Sequence, residues 1–255
     1  MRAVKWCIGI IILLVIIAGC GWLILRPHHP DALWRIISAQ CIPGQQQHQD
    51  PAPCSSVNLD ENDVTLKDIN GPLQYLLMPA TRISGIESPA LLSPDAANFF
   101  WLAWQSRSLM SERYGQPIPD SAISLTVNSA SGRTQNQLHI HISCLRSDVR
   151  QQIDRRSTRI GSRWESIGKL RGHEYLARKV SREALAQRSP FLMLADEVPG
   201  AREHMGLYGL AMASLPDSTF VLLATERNML ALNMASAEEL QDHQCTILPV
   251  PPAGK

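Results

Sequence analysis

The 255-residue chain has no CxxC pair, no HExxH, no second HxH beside His139-Ile140-His141, and no internal repeat. Without CxxC, thiol–disulfide catalysis has no motif to work from. Charge of one sign is also missing, since 24 Lys+Arg stand against 23 Asp+Glu for a net of +1. That balance removes any general attraction to nucleic acid or to an acidic partner, so binding must be local. With 45% hydrophobic residues and 18% charge, the chain can bury one substantial core or two small ones, and one soluble domain is expected.

What is present begins with Cys7 to Leu25, CIGIIILLVIIAGCGWLIL, 19 residues without a charge, preceded by Arg2 and Lys5. At about 1.5 Å per helical residue this just spans a bilayer core. The expectation is a single N-terminal transmembrane helix over residues 1–26 and an exported domain over residues 27–255, the flanking cations placing the N-terminus in the cytoplasm. A cleaved signal peptide is one alternative. A lipobox at Ile17-Ala18-Gly19-Cys20, with Cys20 lipidated, is the other.

Four cysteines fall in the exported part: Cys41, Cys54, Cys144 and Cys245. Four cysteines allow three pairings; an oxidising compartment favours disulfides over buried free thiols, the alternative, and the short Pro-rich stretch between Cys41 and Cys54 suggests that pair first, which leaves Cys144 with Cys245.

Helical spacing covers Asp31 to Gln40, with Asp31 as N-cap, and Asp95 to Tyr114, ended by Gly115; the aromatic residues of the second read as a core-packed helix or, alternatively, a lipid-facing ledge. Cys41 to Cys54 reads as loop. Val64–Ile69 and Gln74–Met78 read as strands joined through Asn70-Gly71. Further strands are expected at Ser121–Asn128, Gln137–Cys144, His173–Val180, Tyr208–Ala213 and Phe220–Ala224, with a helix at Ser181–Gln187. Ser236-Ala237-Glu238-Glu239 has the spacing of a capping box opening a C-terminal helix, and the tail from Pro249 reads as disordered.

The chemistry concentrates in TQNQLHIHISC, Thr134 to Cys144. Alternation puts Leu138, Ile140, Ile142 and Cys144 on one strand face and Gln137, His139, His141 and Ser143 on the other, the two imidazoles about 7 Å apart at Cα. Three uses compete: a polar face turned to solvent, two ligands of a metal site whose remaining donors no motif supplies, and a neutral imidazole attacking phosphorus.

Asn128, Gln135 and His139-Ile140-His141-Ile142-Ser143 resemble the histidine-triad (HIT) pattern. The stretches NGPLQYLLMP (70–79), NFFWLAWQ (98–105), RGHEYLAR (171–178), QRSPFLMLADEVP (187–199) and AREHMGLYGLAM (201–212) are similar to the bacterial CDP-diacylglycerol pyrophosphatases. That resemblance implies an α+β HIT-like fold, an antiparallel sheet with flanking helices. It implies hydrolysis of CDP-diacylglycerol to CMP and phosphatidate at the bacterial inner membrane, with the domain in the periplasm and no cofactor. His141 would be the nucleophile and His139 its orienting neighbour. Asn128, Gln135 and Ser143 would serve the phosphate, helped by amides after Gly132 and by Arg133, with Ser143 standing where the family has a third histidine. The resemblance allows a homodimer, as in many HIT proteins. Another nucleotide as substrate, or a non-enzymatic anchored protein with a metal on the HxH strand, are the competing functions.

Overall fold

The computed structural model describes residues 29–249. The expected membrane segment and all of the tail beyond Pro249 lie outside these residues, and no helix among the described residues is long and apolar enough to cross a membrane. Residues from Asp31 onward form one compact unit.

Its frame is a ten-stranded antiparallel sheet: β1 (Ser56–Asn58), β2 (Asp63–Lys67), β3 (Tyr75–Pro79), β4 (Ile123–Val127), β5 (Ile140–Leu145), β6 (Glu165–Leu170), β7 (His173–Val180), β8 (Tyr208–Ser214), β9 (Phe220–Glu226) and β10 (Gln241–Asp242). Their order is β1-β2-β3-β5-β4-β8-β9-β7-β6, and β10 pairs with β5 where β3 leaves off. The histidine strand β5 is therefore central, paired to β3 at Tyr75↔Ile142 and to β4 at Thr126↔His141.

Helices flank the sheet: α1 (Ala32–Ile36), α2 (Ile42–His48), α3 (Phe99–Ser106), α4 (Ser108–Tyr114), α5 (Ser147–Arg156), α6 (Arg182–Gln187) and α7 (Pro190–Glu197). The aromatic helix starts later than its spacing predicted, because Asn98 accepts the Trp101 amide at 3.2 Å and caps α3 there. Phe99, Phe100 and Trp104 are buried, and Trp104 meets Phe220 edge-on at 4.8 Å. Gly115 ends α4 in the left-handed conformation expected of it.

Two local expectations are corrected. A π-turn, Ile37–Cys41, links α1 to α2, so the chain stays helical to His48 despite Pro43. Proline there occupies the first turn of α2, where its missing N–H costs little. The Asp31 side chain makes no capping bond and instead accepts from Arg82 at 2.8 Å.

Three apolar clusters share the sheet. One face packs Leu125, Ile140, Ile142 and Leu210 under α3 and α7. The other face carries two clusters, one joining β2 and β3 to Ile37 and Cys41, the other joining β7, β8 and β9 to α5. Between them runs a buried polar seam of Gln74, Thr126, His139, His141 and Ser143, against which a C-terminal strap over residues 233–242 lies, Gln241 bonding Thr126 and the His141 carbonyl and Glu238 standing 3.4 Å from the His141 ring. Gly209 on β8 permits the crossing, since a Cβ there would lie 2.3 Å from the Ala235 carbonyl oxygen. Both expected disulfides, Cys41–Cys54 and Cys144–Cys245, are formed.

Candidate active site

The alternation of β5 holds, but its polar face is not solvated: His139 and His141 are 7% and 6% exposed, and Ser143 is fully buried. The two rings meet edge to face at 4.8 Å between centroids. His139 Nδ1 lies 2.7 Å from the Gln137 carbonyl oxygen. A carbonyl can only accept, so the Nδ1 of His139 carries the proton.

His141 Nδ1 lies 3.3 Å from Gln74 Nε2 and 3.4 Å from Glu238 Oε1. The amide and the carboxylate ask for opposite tautomers. The charge of the carboxylate favours the tautomer with the proton on Nδ1 and the lone pair on Nε2. Burial, only partly opposed by the charge of Glu238, pushes His141 down to about 4, so the ring is neutral at pH 7. His139 is also held below its ordinary value by burial.

Glu238 is the residue the sequence reading missed. Burial favours its neutral form, yet the hydrogen bond from His243, the charge of His141 when protonated and the Asn128 amide together hold it at about 2. At neutral pH, with His141 uncharged, His243 and Asn128 carry that effect. His243 Nε2 sits 3.1 Å from the same Glu238 oxygen, and that bond raises His243 in turn. Asn128 donates Nδ2 to Glu238 Oε2 at 3.0 Å and accepts from the Glu238 amide and the Ser236 hydroxyl, both at 3.1 Å. The expected capping box is thus spent: Ser236 bonds Asn128, and the segment Ala237–Leu240 is a 3-10 turn instead of an α-helix. The only signal available was two carboxylates in SAEE.

Several buried polar atoms around this point have no hydrogen-bond partner in the protein: His141 Nε2, Ser143 Oγ, Gln74 Oε1 and His243 Nδ1. Such atoms are uncommon in folded proteins and each costs about 1–3 kcal/mol, which makes their grouping here a candidate site.

Other expected phosphate contacts are engaged elsewhere. Arg133 donates both Nη1 and Nη2 to Glu87, at 2.6 and 2.7 Å. The amides of Ser131, Gly132 and Arg133 all point back to Ser129. Gln135 Oε1 accepts the Leu33 amide at 3.2 Å, which ties the motif to α1. A narrow crevice lined by Gly85, Val127, Asn128, Arg133, Leu138 and His139 lies beside the first histidine, too tight to hold a water molecule. A larger cavity of about 550 Å³ lies over β7–β9, lined by His173, Tyr175, Tyr208 and Asn233 among others, and neither seam histidine reaches it. Glu239 faces that side, accepting from His173 at 2.8 Å and Tyr175 at 2.7 Å. Adjacent carboxylates therefore serve opposite sides of the strap. Among the described residues no cluster of three or more His, Cys, Asp or Glu side chains is arranged to hold a metal ion.

In comparisons with known proteins, a HIT family hydrolase from Clostridium thermocellum is 20% identical, aligns over 40% of this chain and 88% of its own, and has a TM-score of 0.29. The family description "CDP-diacylglycerol pyrophosphatase" matches residues 28–249, which include every residue of the seam, and the chain belongs to that family.

Proposed function

We propose that this CDP-diacylglycerol hydrolase works by the HIT scheme, through a covalent CMP-histidine on His141. The observation that carries this is the state of the ring: Nδ1 against an ionised carboxylate, Nε2 with no protein partner. The Nε2 lone pair forms a bond to the α-phosphorus while the bridging P–O bond breaks, and that electron pair leaves on phosphatidate. The Nδ1–H then carries positive charge, which Glu238 offsets. Water attacks the same phosphorus, loses a proton, and returns the lone pair to Nε2 with release of CMP. Ser143 Oγ, unpartnered on the same strand face, donates to a phosphoryl oxygen. Asn128 acts one step back, by holding Glu238.

A second reading has its own observation. His139 has a fixed Nδ1–H and lines the crevice, so its Nε2 is a rival nucleophile. The detergent-solubilised full chain separates the two. During turnover of CDP-diacylglycerol, an alkaline quench preserves phosphoramidate, and mass spectrometry locates the CMP adduct. We expect the adduct on His141, and a loss of CMP release of roughly 10³-fold or more in His141→Asn, unaffected by a chelator. An adduct on His139, or none, overturns the assignment.

We further propose residues 1–26 as an uncleaved membrane anchor and residues 27–255 as a periplasmic catalytic domain. The uncharged run Cys7–Leu25 supports the first, and two disulfides support an oxidising compartment.

A further inference from the structure

Six large apolar side chains are exposed among the described residues, and four of them share one short loop: Met229 at 60%, Leu230 at 100%, Leu232 at 83% and Met234 at 39%. The loop is not slack. Asn228 and Asn233 exchange backbone hydrogen bonds at 2.9 Å in both directions, and the Asn228 side chain accepts the Ala231 amide at 3.2 Å. Asn233 donates to Thr225 Oγ1 at 2.8 Å and accepts from the Ala235 amide at 2.7 Å. Leu232 adopts a left-handed backbone with φ 53°, a conformation that disfavours side chains and is held here by the bonds at the loop base. Polar side chains are turned inward to satisfy the backbone and apolar ones outward, the reverse of an ordinary solvated loop.

Its position adds a second, independent observation. The loop follows β9 at the end of the strands where β4 runs into β5, and it is rooted in the segments that carry the site. Ser129, beside Asn128, donates to the Met234 carbonyl at 2.6 Å, and the Ala235 carbonyl receives the Ser129 amide at 3.0 Å. Arg227, exposed at the loop base, donates to Ser131 at 2.9 Å and places a cation beside the apolar crown. Gln137 joins the same end to Pro79 and Thr81, near Arg82, which holds Asp31. Only Arg26 to Pro30 separate Asp31 from the uncharged run, a reach of at most about 20 Å.

We propose that the Asn228–Asn233 loop is a second membrane contact, which seats Met229, Leu230 and Leu232 among the acyl chains of a bilayer with Arg227 at the level of the anionic headgroups. It rests on the reading of a lipid-borne substrate. A single anchor leaves a domain free to swivel, whereas anchor plus loop fixes the end carrying Asn128 and Glu238 toward the headgroup layer.

The test uses the full chain in vesicles of phosphatidylcholine and phosphatidylglycerol, with Cys7→Ala and Cys20→Ala so that one added cysteine takes an environment-sensitive fluorophore. Label at Leu230→Cys is expected to shift to the blue and be quenched by acyl-chain spin labels. Label at Asp217→Cys, in the β8–β9 turn at the opposite end of those strands, is expected to stay unquenched. In parallel, Leu230→Glu/Leu232→Glu is expected to lose about tenfold in rate on vesicle-borne CDP-diacylglycerol. On a short-chain monomeric analogue it should match the parent. Absence of quenching at 230 together with equal rates on both substrates overturns the proposal. A blue shift that lipid quenchers miss and that grows with protein density overturns it in favour of a second copy of the chain. Quenching at 230 with no CMP release from either substrate leaves the docking standing and defeats the catalytic reading alone.

Discussion

On the proposed scheme Glu238 sets the state of His141, and its removal separates positioning from mere support. The carboxylate raises the proton affinity of His141 against a larger lowering by burial. Glu238→Gln removes the raising part, so His141 drops below about 4 and the acid limb of kcat/KM moves to lower pH, while kcat falls by about 10²-fold through loss of the charge that offsets the intermediate. A purely structural role would lower both parameters without moving the limb. The same ring makes stability depend on pH in a defined direction. Its folded value of about 4 lies below the ordinary 6.5, so between these the unfolded chain binds more protons. His141 therefore costs stability as pH falls from 6.5 to about 4, and the loss levels off below that. Urea unfolding at pH 5 and pH 7 should show a smaller difference in His141→Asn than in the parent.

At the scale of elements, the strap over residues 233–242 converts a strand face into a site. Gln241 donates to the Ser124 carbonyl at 3.0 Å and the His141 carbonyl at 3.2 Å, and receives Thr126 Oγ1 at 3.0 Å, so the strap is sewn to β4 and β5 side by side. Gly209→Ala should push the strap outward at Ala235, with a loss of about 1–3 kcal/mol in denaturant unfolding and a fall in kcat larger than any change in KM. An unchanged kcat would show that the strap does not set the geometry of Glu238. This element also marks the limit of what the sequence reveals. Alternation made β5 and its facing readable, and Asn70-Gly71 announced the turn between β2 and β3, because those signals are local. Burial of the histidine face was not readable, since the cover comes from residues about 100 positions away. Ser236 looked like a helix cap because its true partner, Asn128, is 108 residues distant. Gln135 and Arg133 kept the motif spacing, but their bonds to Leu33 and Glu87 are tertiary.

At the scale of the molecule, the two disulfides do unequal work. Cys41–Cys54 closes a separation of 13 residues within the cluster that joins α1 and α2 to β2 and β3. Cys144–Cys245 closes 101 residues, and it ties the turn just after the strap to β5, which carries His141 and begins one residue after His139. On the chain-entropy account the short loop contributes about 3 kcal/mol and the long one about 4.7 kcal/mol. Position makes the contrast sharper than entropy alone, because Cys245 lies two residues beyond His243, which bonds Glu238, and Asp242 pairs with Cys144 in β10. Releasing the long bridge frees the end of the strap and loosens the carboxylate that orients His141. Cys144→Ala/Cys245→Ala should therefore lose more unfolding free energy than Cys41→Ala/Cys54→Ala by about 1–2 kcal/mol. It should also lose CMP release under conditions where it remains folded, whereas the short-loop variant, once folded, keeps the parental rate. Equal loss of activity in the two folded variants would show that the bridges hold the domain as a whole and not the strap.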